Sequence, residues 1–206
     1  MPEILSAVPF LPESHTLAAL RVGVQSCRGC RLYANATQAV FGAGDDQASL
    51  VLVGEQPGDQ EDRAGEPFVG PAGQLLDRAL EEAGIERGKA YVTNAVKHFK
   101  WRPRGTRRIH DKPSWSEQVA CRPWLELELA AVRPRALVLL GATAAQSLLG
   151  RDFRVTRSRG MLLDSDLAEI VVATIHPSAV LRADDRDEMF AGLVADLRVA
   201  AAALER

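Results

Sequence analysis

Residues 49–55, SLVLVGE, place an unbroken apolar run between a serine and a glycine–glutamate pair. A strand with one wet face alternates apolar and polar residues, so a strand that does not alternate must be buried on both faces. The same continuous pattern recurs in AYVTNAV (90–96), RALVLLG (135–141) and EIVVATIHP (169–177). Helical segments separate these runs. PAGQLLDRALEEAG (71–84) has proline in its first turn and glycine at its end, and SWSE (114–117) has the Ser-x-x-Glu spacing of a capping box opening a helix through Ala131. ATAAQSLLG (142–150) is an alanine-rich helix, a weaker strand is expected over 153–155, and a last amphipathic helix runs from about Asp185 to Ala203. Buried strands joined by helices need right-handed crossovers, so the expected fold is α/β: a three-layer α/β/α domain with a central, mainly parallel sheet.

A chain of 206 residues with 47% hydrophobic content supports one sizeable core. We expect a single domain over 27–206 preceded by an N-terminal extension, 1–26. The extension has no basic region followed by a long apolar run, and no segment approaches the roughly 20 apolar residues of a membrane span, so a cytoplasmic protein with no membrane association is expected. The net charge of −2 argues against general coating of nucleic acid. Yet Lys97, Lys100, Arg102, Arg104, Arg107, Arg108 and Lys112 fall within sixteen positions, enough for one strongly cationic face. RGTRRIHDKP (104–113) is the densest part and reads as a surface loop.

In open α/β sheets, ligands bind beyond the carboxyl ends of the strands. The four strand exits read GEQPGDQED, TNAVKH, GATAA and IHPSAVL, which bring Glu55, Asn94 and His176 to one edge of the sheet. Singly, each has an ordinary reading: Gly54 and Gly58 make a turn, Asn94 caps a loop, His176 is a satisfied structural histidine. Together, and with Phe68 in GEPFVGPAG (65–73) as a flat apolar wall, they suit a planar ligand bearing amide groups. An asparagine side chain pairs with a base edge through donor and acceptor at once.

These motifs carry a resemblance. GEQPGDQED (54–62), PFVGPAG (67–73), TNAVKH (93–98) and HPSAVL (176–181), in this order and spacing, resemble the motifs of uracil-DNA glycosylases, in particular their iron–sulfur bacterial and archaeal branch. The basic segment ending in RRIH (107–110) resembles family X of that superfamily, whose members capture uracil-containing DNA covalently through this histidine. Thr106 stands where family X loops often carry lysine. The likeness covers roughly residues 27–200 and implies a monomer that excises uracil from single-stranded or locally opened DNA, with free uracil as product. It implies that Asn94 reads the uracil edge, Phe68 stacks on it, and His176 donates a hydrogen bond to a carbonyl as charge develops. Glu55 would stabilise the cationic sugar or act as a base, with Gln56 and Asp59 supporting its loop and Gly58 and Ser178 against the substrate. Arg107 and Arg108 would hold phosphates while His110 attacks the anomeric carbon. Two other readings stand beside this one: a conventional multiple-turnover glycosylase in which water attacks, and a non-catalytic nucleic-acid-binding iron–sulfur protein.

The cysteines are Cys27 and Cys30, in CRGC, and Cys121. An intracellular Cys-x-x-Cys is a metal site or a redox pair, and four ligands are the usual complement. His98 lies between the pair and Cys121, at a position that is commonly cysteine in the iron–sulfur glycosylases. Three thiolates and an imidazole suit zinc by chemistry alone. The resemblance implies a [4Fe-4S] cluster instead, with a structural role.

Overall fold

The computed structural model describes residues 5–206. In chain order its elements are α1 (Leu17–Gly23), β1 (Ala43–Gly44), β2 (Leu50–Gly54), α2 (Asp59–Ala64), α3 (Pro71–Glu82), β3 (Ala90–Asn94), β4 (Trp101–Arg104), β5 (Arg107–His110), α4 (Trp115–Val132), β6 (Ala136–Leu140), α5 (Gly141–Leu149), α6 (Val155–Ser158), β7 (Ile170–Thr174), α7 (Pro177–Arg182) and α8 (Arg186–Leu204). Four strands form a parallel sheet in the order β3-β2-β6-β7, and β1 adds antiparallel to the free edge of β3.

All four parallel strands are buried from end to end, which is why none alternates. Val51 and Val53 of β2 face a core with Leu20 of α1, Trp124 of α4 and Ala144 of α5. Leu50 and Leu52 face the opposite core, with Leu76 of α3, Val180 of α7 and Leu193 of α8. Burial of each such side chain contributes about 1.5–3 kcal/mol. The result is the three-layer α/β/α arrangement with a mainly parallel sheet. The capping box is present: Ser114 Oγ accepts from Glu117 N at 3.3 Å and Ser114 N donates to Glu117 Oε2 at 2.6 Å.

Four local readings need correction. Residues 153–155 do not form a strand; the free edge of β7 is taken by bridges from Arg159 and Leu162, and the chain enters α6 instead. AYVTNAV ceases to be a strand at Asn94, because Ala95 and Val96 turn their N–H groups onto the carbonyls of Gly54 and Glu55. The basic segment is not a loop but half of an antiparallel hairpin, β4 paired with β5, with Gly105 at φ +59° in its tip. Residues 59–64, read as part of a strand exit, form the short helix α2.

Residues 5–26, expected to precede the domain, pack against it. Ala7 N donates to the carbonyl of Ala120 at 2.8 Å, and Leu20 and Val24 have no exposed surface. Among the described residues no helix is long and apolar enough to cross a membrane. The sheet order sets the site. The chain leaves β2 toward β3 on one side and returns to β6 on the other, and that reversal opens a crevice at the carboxyl end of β2.

Candidate active site

A cavity of about 800 Å³ opens at this crevice. Glu55 follows β2, Asn94 ends β3, His176 follows β7, and Phe68 comes from the segment before α3; all four line it. Two glycines make the room. A Cβ on Gly54 would fall on Asn94 Oδ1 and the Phe68 ring, and one on Gly141 would meet His176 Cβ at 2.9 Å. Phe68 itself sits at φ +59°, a left-handed conformation costly for an aromatic residue, and its ring lies near-parallel to that of His176, centroids 6.1 Å apart.

The Asn94 side chain is 3% exposed and makes no hydrogen bond to any described residue, so its amide is free for a ligand. His176 caps α7: its Nδ1 accepts from Ser178 N at 3.1 Å and lies 2.8 Å from Ser178 Oγ. A ring nitrogen that accepts a backbone N–H carries no proton, so the neutral imidazole bears its hydrogen on Nε2. Desolvation, only partly offset by the Glu55 charge, brings the His176 pKa down to about 4 and keeps the ring neutral. Ser178 thus fixes the His176 tautomer and itself lines the cavity.

The β4–β5 hairpin supplies the other wall. Alternation along β5 puts Arg108 and His110 on the inner face, Arg107 and Ile109 on the outer. His110 Nε2 lies 3.2 Å from Glu55 Oε1, with its ring tilted against Phe99 at 6.2 Å. Glu55 also accepts a hydrogen bond from Thr143 of α5. Burial pushes the Glu55 carboxyl up, but the hydrogen bonds from His110 and Thr143 and the positive ends of both histidines outweigh it, and the pKa falls below its ordinary value.

Several expected contributors are committed to partners within the fold. Arg108 is not a free phosphate clamp: its guanidinium binds Asp59, Asp62 and Thr37, stacks over Phe99 and Trp101, and is 14% exposed. It staples the hairpin to α2. Asp59 is consumed by the same staple and by Arg63, at 3.0 Å, so it does not face the cavity. Gln56 lines the cavity, yet its amide donates to the carbonyls of Lys100 and Asp111, both at 3.1 Å, and accepts Lys100 N; it ties off the hairpin's base. Gly58 lines the cavity and donates its N–H to Glu61. Arg107 is exposed on the outer face, beside Arg102 and Arg104, and none of the three side chains has a hydrogen bond or ion pair to a described residue.

Two contributors were not singled out from the sequence. Thr143 lies in the GATAA exit, where a hydroxyl one turn into a helix can reach the neighbouring strand end. Glu61 accepts the N–H groups of Gly58 at 3.0 Å and Gly70 at 2.7 Å, binding two motif segments into one wall; its spacing from Gly58 is that of a helix cap. Lys112 and Arg182 also reach the cavity rim.

Cys27, Cys30 and Cys121 are all buried free thiols, and His98 is 5% exposed. Trp124 Nε1 donates to Cys27 Sγ at 3.2 Å and Lys97 N to Cys121 Sγ at 3.3 Å. Desolvation pushes Cys121 up to about 12 in spite of Lys97, with Cys30 and Cys27 near enough to add to the rise. Burial likewise lowers His98 to about 4, leaving a neutral imidazole. Three clustered thiols and a neutral imidazole fit a thiolate-ligated group. Among the described residues, no three of these side chains converge on one point, as a single-ion site requires.

Comparison with known proteins agrees with this architecture. The sequence pattern described as the uracil DNA glycosylase superfamily matches residues 41–198. A type-4 uracil-DNA glycosylase of Thermotoga maritima is 39% identical over 160 residues, 77% of this chain and 80% of that protein. The type-4 enzymes of Archaeoglobus fulgidus and Pyrobaculum aerophilum are 38% and 36% identical, over 77% of this chain and 79% and 81% of theirs. The match runs from the segment before β1 into α8 and so takes in every strand end that lines the cavity: the chain belongs to the uracil-DNA glycosylase superfamily.

Proposed function

We propose that this protein excises uracil from DNA in the cytoplasm and, as in family X, remains joined to the resulting abasic sugar through His110. One observation carries the reading: a histidine on an anchored hairpin has its Nε2 3.2 Å from the Glu55 carboxylate in the wall of the cavity that also holds Asn94, Phe68 and His176. A histidine there occupies the place from which water would attack in a conventional glycosylase.

The bond between uracil N1 and the sugar C1′ breaks with its electron pair going to the base. Uracil, extruded from a single-stranded or opened site, stacks on Phe68 and pairs its edge with the free amide of Asn94. His176, held as the Nε2–H tautomer, donates to a uracil carbonyl and stabilises the anion without giving up its proton. On the sugar side, the ionised Glu55 faces the developing positive charge. As His110 Nε2 bonds to C1′, the proton on that nitrogen passes to Glu55, so the product is a neutral alkylated imidazole, a protonated carboxyl and the free uracil anion. Proximity favours His110 over water, because a preplaced nucleophile acts at high effective molarity.

Cys27, Cys30, His98 and Cys121 would hold the [4Fe-4S] cluster. Separate irons take separate ligands, so the lack of one convergence point is no obstacle, whereas a mononuclear zinc site needs one. Held there, the cluster would supply a cross-link among the CRGC segment, the residues after β3 and α4, and no bond-making step.

Incubation with a uracil-containing single strand followed by denaturing electrophoresis tests the proposal. A detergent-resistant adduct on His110 in a one-to-one yield, absent in His110→Ser, is expected. Many uracils released per protein with no adduct would leave the conventional glycosylase in its place.

A further inference from the structure

Behind the cavity, and outside it, lies a fully buried ion pair. Lys97 and Glu128 both have no exposed surface. The Lys97 ammonium donates to Glu128, to Thr93 Oγ1 at 2.8 Å and to the backbone carbonyl of Asn94 at 2.8 Å, which uses all three of its protons. The Glu128 carboxylate also accepts from Gly42 N and Tyr91 Oη, each at 2.9 Å. Four chain segments thus meet at one carboxylate. Burying two charges costs more than an apolar pair of the same shape, so stability alone does not account for the arrangement.

What the pair holds is the end of β3. Beyond the last ladder bond, the Asn94 carbonyl has no strand to pair with, and Lys97 takes it. The following residues are fixed as well: Val96 N donates to the Glu55 carbonyl at 3.0 Å. The turn from Asn94 to Lys97 therefore sets the backbone from which the base-reading amide projects. We propose that Lys97 and Glu128 are positioning residues for base recognition, aiming the Asn94 amide by clamping its carbonyl from behind. This rests on Asn94 reading the base, as proposed above.

The test measures affinity for free uracil per folded molecule, with thermal melting as the check on folding. The variants are Asn94→Ala, Glu128→Gln, and Lys97→Met combined with Glu128→Leu, which removes both charges and keeps the volume. A structural role would lower melting temperature and leave the affinity of the surviving folded protein unchanged. Positioning predicts that the double variant melts cooperatively yet binds free uracil about tenfold more weakly, with Glu128→Gln in between. Normal uracil affinity in the double variant, or in folded Glu128→Gln should the double variant not fold, overturns the inference if Asn94→Ala has lost it. Normal affinity in Asn94→Ala itself would remove the base-reading role first, and the positioning role with it.

Discussion

Gly54 shows how one missing side chain defines the cavity. A methyl group there would fall on Asn94 Oδ1 and on the Phe68 ring, so both side chains must shift to admit it. Gly54→Ala should cost about 1–3 kcal/mol of stability by overpacking. It should reduce uracil release by about a hundredfold, since a small displacement of the reader is enough. Thermal melting and single-turnover release on the same preparation would separate the two effects. Glu55→Gln removes the carboxylate to which the proposed mechanism assigns the sugar charge and the His110 proton. It should slow adduct formation about a hundredfold or more while free uracil still binds. Glu55, Asn94, Phe68 and His176 were legible in the sequence because each stands at a strand exit or in a glycine-punctuated segment. The mutual placement of Arg108 with Asp59 and Asp62 was not, because those partners lie 49 and 46 positions away and only the fold joins them.

At the level of elements, the hairpin divides its arginines by side. The inner one, Arg108, is spent on carboxylates; the outer ones, Arg102, Arg104 and Arg107, are free and aligned on one face. Phosphate contact is therefore expected of the outer face. Binding of a uracil-containing strand by His110→Ser protein should lose about 0.7 from its log-salt slope when Arg107 is changed to Gln. Arg108→Gln should leave that slope intact and slow adduct formation in the parent protein, because the staple that carries His110 toward Glu55 is gone. Equal slopes for His110→Ser protein with and without Arg107→Gln would place the phosphates elsewhere. The four parallel strands could be read from their unbroken apolar runs, but the hairpin could not. Its strands are short, arginine-rich and interrupted by Pro103, and their pairing is secured by contacts to α2 and Gln56 rather than by their own apolar pattern.

The molecule as a whole couples its stability to a histidine it keeps neutral. His176 has an ordinary pKa of 6.5 and is brought to about 4 by desolvation in the fold. The unfolded chain thus takes up a proton there that the folded one refuses, and stability falls as pH drops from 6.5 toward 4. The decline due to this residue is at most about 1.4 kcal/mol per pH unit. Denaturant melts at pH 7 and pH 5 should show a shallower decline in His176→Asn, which retains a helix cap without a titrating group; equal declines would show that His176 is not the source. The site is also divided along the chain. Phe68 and Asn94 precede the hairpin tip, His110 and His176 follow it, and each side of the tip is fastened independently, Trp101 Nε1 to the Asn35 carbonyl and Arg108 to α2. A backbone cut between Gly105 and Thr106 would leave the two pieces docked and the cavity whole. On the proposed chemistry, such a nicked protein once denatured would carry its DNA on the C-terminal fragment alone, while the piece bearing Phe68 and Asn94 would come away unmarked.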